Sequence, residues 1–277
     1  MPEGPEVSIL TNSLNKLLKN KTLIKVKVLK GGKYENKPPK NYITFTKTLP
    51  LKVNRIRNKG KLMYWEFSND TIMINHLNMT GIWTIGKKLK HSALEFRFKR
   101  SDSSLNDDED DLILYYIDIR RFGRVEFTDN KLFLNDIGPD IVNDKSFSFK
   151  DFLKIAKTKK RINITKFLMD QKNISGIGNY IKSEVLYEAK ISPHRNIEDL
   201  SDEELKRIYL ATKKITKLSL DWGGMSMSDF RDIDGKKGDF QKILKVYRLS
   251  KDINGKEIKK EKTKDGRTTF WVPEIQF

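Results

Sequence analysis

Apolar and polar positions follow three different rhythms along this chain. In residues 6–19, Val7, Leu10, Leu14, Leu17 and Leu18 recur at helical spacing, which predicts one amphipathic helix. From residue 22 to about residue 134 the pattern changes to short β-rich runs, at 24–29, 42–45, 62–67, 72–74, 94–98, 112–117 and 125–127. Turn signals such as Gly31-Gly32 and Asn58-Lys59-Gly60 separate them. Many short antiparallel strands predict a sandwich or barrel core. Around residues 135–139 the rhythm returns to a helical one, with helices expected at 149–158, 164–170, 179–189 and 203–220 and with Ser201 and Asp202 available as caps. Residues 223–239, rich in Gly, Ser and Asp, read as a linker. The chain closes on Asp265-Gly266 between β-formers, a type I′ hairpin signal that places Arg267 at or beside its tip.

Composition narrows the function. With 37% hydrophobic residues, 15 Phe, 9 Tyr and 4 Trp, the chain can bury a sizeable core, so wholesale disorder is excluded. A formal charge of +18 favours a polyanionic partner, nucleic acid or an acidic membrane surface. There is no apolar run long enough to span a membrane and no basic-then-apolar leader at the start. Cysteine is absent and the three histidines, His76, His91 and His194, stand in no ligand spacing, so neither disulfides nor a metal site is expected. The acidic run at 107–111 reads as a solvated loop, since it would repel a partner drawn by the remaining charge.

Candidate chemistry begins at the first residues, Met1-Pro2-Glu3-Gly4-Pro5-Glu6. Removal of Met1 would expose the secondary amine of Pro2, which titrates well below a lysine and can attack a sugar aldehyde carbon as a Schiff-base nucleophile. A stiff N-terminus with two solvated acids is the plainer reading. Lys61, after Gly60 at a strand entry, suits a phosphate. Met79, in His76-Leu77-Asn78-Met79-Thr80-Gly81, is either a core filler at a loop end or a wedge for the space left by an extruded base. The same choice applies to Arg120 and Phe122 in Asp118-Ile119-Arg120-Arg121-Phe122-Gly123. Asn173-Ile174-Ser175-Gly176-Ile177-Gly178-Asn179, between two helices, can present backbone N–H groups to a phosphate or serve only as a structural turn.

Taken in order, these segments resemble the formamidopyrimidine-DNA glycosylase/endonuclease VIII family over essentially the whole chain. The match rests on Pro-Glu-Gly-Pro-Glu at 2–6, Gly-Lys at 60–61, His-Leu-Asn-Met-Thr-Gly at 76–81 and Asp-Ile-Arg-Arg-Phe-Gly at 118–123. It continues through Phe-Leu-Met-Asp-Gln-Lys at 167–172, Gly-Ile-Gly-Asn-Tyr at 176–180 and the Gly-Arg-Thr tail. Most bacterial relatives hold the C-terminal finger with four cysteines; this chain has none, so the resemblance runs toward eukaryotic endonuclease VIII-like enzymes with a zinc-less finger.

The resemblance implies an α+β multidomain fold. It comprises an N-terminal β-sandwich catalytic domain with flanking helices (1–134), a helix-two-turn-helix domain (135–222), and a linker with a zinc-less β-hairpin finger (223–277). It implies a bifunctional glycosylase and abasic-site lyase of base excision repair, acting by β,δ-elimination without cofactor or metal. The partner would be damaged DNA, duplex or single-stranded, met by a monomer wherever genomic DNA is repaired, in a nucleus or nucleoid-like compartment. Pro2 would be the nucleophile and Glu3 the proton shuttle, with Lys61 and Arg267 also catalytic. Glu6 and Lys245 would position the lesion. Met79, Arg120 and Phe122 would fill the void, and Lys61, Asn179 and Arg267 would bind phosphates. Oxidised pyrimidines and hydantoins are the expected substrates, with 8-oxoguanine disfavoured because residues 223–237 are only a short version of the loop used by purine-directed enzymes. Two rivals remain: a catalytically silent damage binder, and a generic basic RNA- or membrane-associated protein.

Overall fold

The computed structural model describes residues 1–99, 111–226, 233 and 235–277. Residues 107–110 of the acidic run, and most of 227–234, lie outside the described residues. The chain is α+β and forms two compact units. The first comprises Met1–Pro2, Glu6–Leu134 and Met225–Gly238; the second comprises Glu3–Pro5, Asn135–Gly224 and Asp239–Phe277.

In the first unit, helix α1 (Gly4–Leu18) precedes β1 (Thr22–Val28), α2 (Tyr42–Thr46), β2 (Leu51–Lys59), β3 (Leu62–Phe67), β4 (Ile72–His76), β5 (Gly81–Ile85), β6 (Ser92–Lys99), β7 (Leu112–Asp118) and β8 (Arg124–Thr128). The strands follow the order β5-β7-β6-β1-β2-β3-β4-β8, all pairs antiparallel. β1 meets β2 only at Thr22↔Lys52 and Leu23↔Leu51, whereas its pairing with β6 runs from Thr22↔Lys99 to Val28↔Leu94. This thin seam lets the sheet fold into two four-stranded halves that face one another, giving the expected sandwich. Trp65 of β3 lies 5.1 Å from Trp83 of β5 and 5.9 Å from Phe96 of β6, ring to ring, so aromatic side chains from both halves interdigitate. Helix α1 closes this core with Val7, Leu10, Leu14 and Leu18, the stripe its spacing predicts.

One expected strand is a helix. Residues 42–45 lie in α2, because Phe45 turns inward to stack on Phe127 at 4.0 Å and to touch Phe67 at 5.1 Å. A short apolar run cannot reveal which period it will adopt.

The second unit carries α3 (Phe149–Lys157), α4 (Ile164–Met169), α5 (Asn179–Glu188), α6 (Asp202–Asp221), β9 (Lys259–Lys262) and β10 (Thr268–Trp271). Capping boxes at Ser148/Asp151 and Ser201/Glu204 start α3 and α6. Asp202 is thus the first helical residue and Ser201 the cap. The terminal hairpin differs from the type I′ expectation. Thr263 N donates to Arg267 O, and Gly266 N donates to Thr263 O. Of the turn residues only Gly266 has positive φ, at 77°. This is the three-residue connection with a left-handed glycine, which leaves Arg267 at the foot of β10 rather than at the apex.

No metal fits this hairpin. The chain has no cysteine, and among the described residues no cluster of His, Asp and Glu could hold an ion. Apolar contacts of Tyr187, Val246 and Val272 with Ile258, Phe270 and Ile275 hold it instead. Polar ties add to these: Trp271 Nε1 donates to Glu261, and Tyr187 Oη donates to Asp252 at 2.9 Å.

Candidate DNA-processing site

In the second unit the glycine turn does what its sequence suggests, with an addition. Helix α5 begins at Gly178 with no side-chain cap of its own. The Glu3 carboxylate takes that place, accepting from Tyr180 N at 3.0 Å and Ile181 N at 3.3 Å. A buried carboxylate at a helix N-terminus is satisfied by free N–H groups and by the helix dipole. Gly4 N donates to Gly176 O at 2.8 Å, which fixes the segment carrying Glu3 against the turn. Gly178 is obligatory there for space rather than backbone angle, since a Cβ would fall 2.2 Å from the Glu3 carboxyl carbon.

Asn179, the next residue, donates through Nδ2 to Thr268 O at 2.9 Å, while its buried Oδ1 has no hydrogen-bond partner. Thr268 follows Arg267, so Glu3, Asn179 and Arg267 are gathered around the start of α5 and the foot of β10. An open cleft of about 800 Å³ in the same unit is lined by Arg161, Lys166, Lys264 and Arg267, with Asp170 and Asp265 between them. Four basic side chains around one cleft suit an anionic backbone.

Lys245 is not part of this gathering. Its Nζ pairs with Glu188 at 2.8 Å, and its backbone N–H donates to Glu184. Glu188 is the last residue of α5, about 14 Å along the helix axis from Asn179.

In the first unit, Met79, Arg120 and Phe122 come together. Arg120 Nη1 lies 3.1 Å from the Met79 sulfur, and its guanidinium sits 5.1 Å from the Phe122 ring centre. Phe122 is 55% exposed and Met79 38%, so neither is core filler. The two loops are fastened at their bases. The Thr80 hydroxyl donates to Asp118 at 2.8 Å and accepts from Arg120 N at 3.0 Å, Asp118 accepts from Gly123 N at 2.7 Å, and Lys33 donates to Gly123 O. Three exposed groups of complementary kind stand on a rigid base.

Lys61 follows Gly60, whose φ of 57° makes the tight turn between β2 and β3. Asn58 ties that turn to α1 through Ser8 at 3.0 Å. Glu6 is buried and accepts from Met225 N at 2.8 Å, so it anchors the chain after α6. Pro2 is buried, preceded by the half-exposed Met1.

Comparison with known proteins places this arrangement. Residues 1–125 match the formamidopyrimidine-DNA glycosylase N-terminal domain and residues 137–231 the H2TH domain of the same enzymes. A formamidopyrimidine-DNA glycosylase of Listeria monocytogenes is 31% identical, with both chains covered completely. Among solved structures, MutM with DNA containing carbocyclic 8-oxo-G superimposes with a TM-score of 0.82 at 25% identity, covering 100% of each chain. A Lactococcus lactis FPG mutant in complex with Fapy-dG DNA gives 0.82 at 25% identity, covering 99% of each. The chain therefore belongs to the formamidopyrimidine-DNA glycosylase family. It is a DNA glycosylase and abasic-site lyase, and its partner is DNA.

Two expectations are corrected by these relatives. The relatives it matches, from Listeria monocytogenes and Lactococcus lactis, are bacterial formamidopyrimidine-DNA glycosylases, which overturns the expected leaning toward eukaryotic endonuclease VIII-like enzymes. Missing cysteines report how one hairpin is held together and carry no information on branch. The lesions in these two related complexes are Fapy-dG and an 8-oxo-G analogue, both derived from guanine, which overturns the expectation of mainly pyrimidine and hydantoin substrates.

Proposed function

We propose that this enzyme removes oxidised purines, 8-oxoguanine and formamidopyrimidines, from DNA through an iminium formed at Pro2. One observation carries the reading: a buried carboxylate, Glu3, is held by two backbone N–H groups at the start of α5 and is one residue from that proline. With Met1 removed, the Pro2 nitrogen is a free secondary amine. It attacks C1′ of the lesion nucleotide as the C1′–base bond breaks, and the base departs with the proton lost from the amine. The C1′–O4′ bond then opens, O4′ taking a proton, and C1′ and the proline nitrogen are left as an iminium. The resulting iminium acidifies C2′. Loss of that proton expels the 3′ phosphate, and a second elimination expels the 5′ phosphate. Glu3 shuttles the protons, an assignment supported by a position too well fixed to wander.

The target base must leave the stack to be reached. Met79 and Phe122 occupy the vacated space, and Arg120 faces the orphaned partner base, since a guanidinium suits a base edge. Lys61, Asn179 and Arg267 take phosphates flanking the lesion, a reading supported by the second N–H of the Asn179 amide and by the exposure of Arg267. Glu6 acts indirectly, through the segment it anchors.

The test is reductive trapping. Protein, an 8-oxoguanine duplex and borohydride should yield a covalent adduct on the lesion strand, abolished in Pro2→Gly and when Met1 is retained. An adduct that survives Pro2→Gly assigns the chemistry to another amine.

A further inference from the structure

Helix α5 carries one charged side chain that its surroundings do not call for. Lys182 is fully buried, in a helix whose residues are buried without a break from Tyr180 to Tyr187. Its ammonium meets the Asp265 carboxylate at 2.6 Å, and both side chains are almost entirely out of water, at 0% and 3% exposure. Replacing such a pair by apolar residues is often neutral or stabilising, so fold stability is a poor reason for it. What the pair touches is more informative.

Asp265 is the second residue of the three-residue turn that leads into Arg267. Its other oxygen accepts from the Thr263 hydroxyl at 2.6 Å, and Thr263 in turn pairs with Arg267 O through its backbone N–H at 3.0 Å. From the far side, Asn179 holds Thr268 O. Asn179, Lys182 and Ser183 lie on one face of α5, and all three reach the hairpin, Ser183 Oγ accepting from Phe270 N at 3.4 Å. Lys182 also feels the charges of Glu3 and Arg267. Burial makes Asp265 harder to ionise, but the Lys182 ammonium and the Thr263 hydroxyl outweigh it and hold the carboxyl below its usual range. The pair is ionic.

We propose that Lys182 is a positioning residue: its ion pair with Asp265 sets the turn from which Arg267 reaches a DNA phosphate, without itself touching DNA. The inference rests on the reading of Arg267 as a phosphate ligand. A directional buried bond fixes the orientation of the turn in a way that an apolar contact, free to slide, does not.

The experiment is a double-mutant cycle in the full chain, using Lys182→Met, Arg267→Ala and both together. Binding is followed by fluorescence anisotropy against a duplex carrying an uncleavable tetrahydrofuran abasic analogue, across a range of salt. Arg267→Ala should weaken binding about tenfold and lower the salt slope by about one. Lys182→Met should give a similar but smaller loss, and the double variant should bind no worse than Arg267→Ala alone. Additive losses would overturn the inference, because Lys182 would then act by another route. If Arg267→Ala weakens binding and Lys182→Met does not, the inference alone falls. If Arg267→Ala changes neither affinity nor slope, the phosphate reading of Arg267 falls and takes the inference with it. Asp265→Asn, which keeps a hydrogen-bond partner for Lys182, serves the same cycle should Lys182→Met fail to fold, and should show the same non-additivity.

Discussion

Gly178→Ala tests the placement of Glu3 with a single methyl group. The added Cβ would stand 2.2 Å from the Glu3 carboxyl carbon and 2.3 and 2.6 Å from its oxygens. Ordinary contact begins near 3.4 Å, so the carboxylate must retreat by about 1.2 Å. Its bonds from Tyr180 N and Ile181 N, now 3.0 and 3.3 Å, would then lie beyond hydrogen-bonding range. Two charge-assisted bonds at roughly 1.5–3 kcal/mol each would be lost, and partial relaxation leaves a destabilisation of about 3 kcal/mol. Turnover should suffer more, since a displacement of about 1 Å in a reacting group costs on the order of a hundredfold. Urea unfolding reads the first effect, and single-turnover excision from an 8-oxoguanine duplex reads the second. A Gly178→Ala enzyme that excises within about threefold of the parent rate would refute the view that this carboxylate, in this position, moves the protons.

His76, at the end of β4, is held well below its usual range, to about 4, first by burial and then by the Arg124 cation. The unfolded chain therefore takes up a proton near pH 6.5 that the folded chain refuses until about 4. Stability is complete above 6.5 and falls as pH drops toward 4, by at most about 3 kcal/mol. Urea midpoints measured from about pH 7 to 4 should show this fall and a flatter profile in His76→Gln; parallel profiles would mean that His76 is not the group responsible. Phe122→Ala removes a ring that is more exposed than buried. It should change stability by less than about 0.5 kcal/mol yet weaken binding to lesion duplex on the order of tenfold; large destabilisation with unchanged binding would make the ring structural.

Much of the architecture is legible because it follows periodicity. The α1 stripe, most of the strands and the four helices of the second unit announce themselves in residue spacing. Tyr42–Thr46 does not, since its helical form depends on Phe45 meeting a ring 82 positions later in the chain. The Gly81–Ile85 strand is hidden as well, because Trp83 is its sole deeply buried large side chain. Among the residues proposed for function, Met79, Arg120 and Phe122 stand out as apolar and cationic residues in polar loops. Lys182 and Asp265 give no such signal. They are 83 residues apart, and each alone looks like an ordinary surface charge. A lysine amid Tyr180, Ile181, Val185 and Leu186 is the only hint. The lineage misleads for a related reason: a missing ligand set is conspicuous in sequence, but it describes one hairpin.

That hairpin has a consequence for the conditions under which the enzyme works. Peroxides and related species that damage guanine also attack thiolates, and a finger clamped by four of them would come apart as lesions accumulate. Here aliphatic and aromatic contacts, a tyrosine and a tryptophan do the clamping, and none of these offers sulfur to an oxidant. Met79 does expose a thioether, and its sulfoxide is a lesion that cells can reverse.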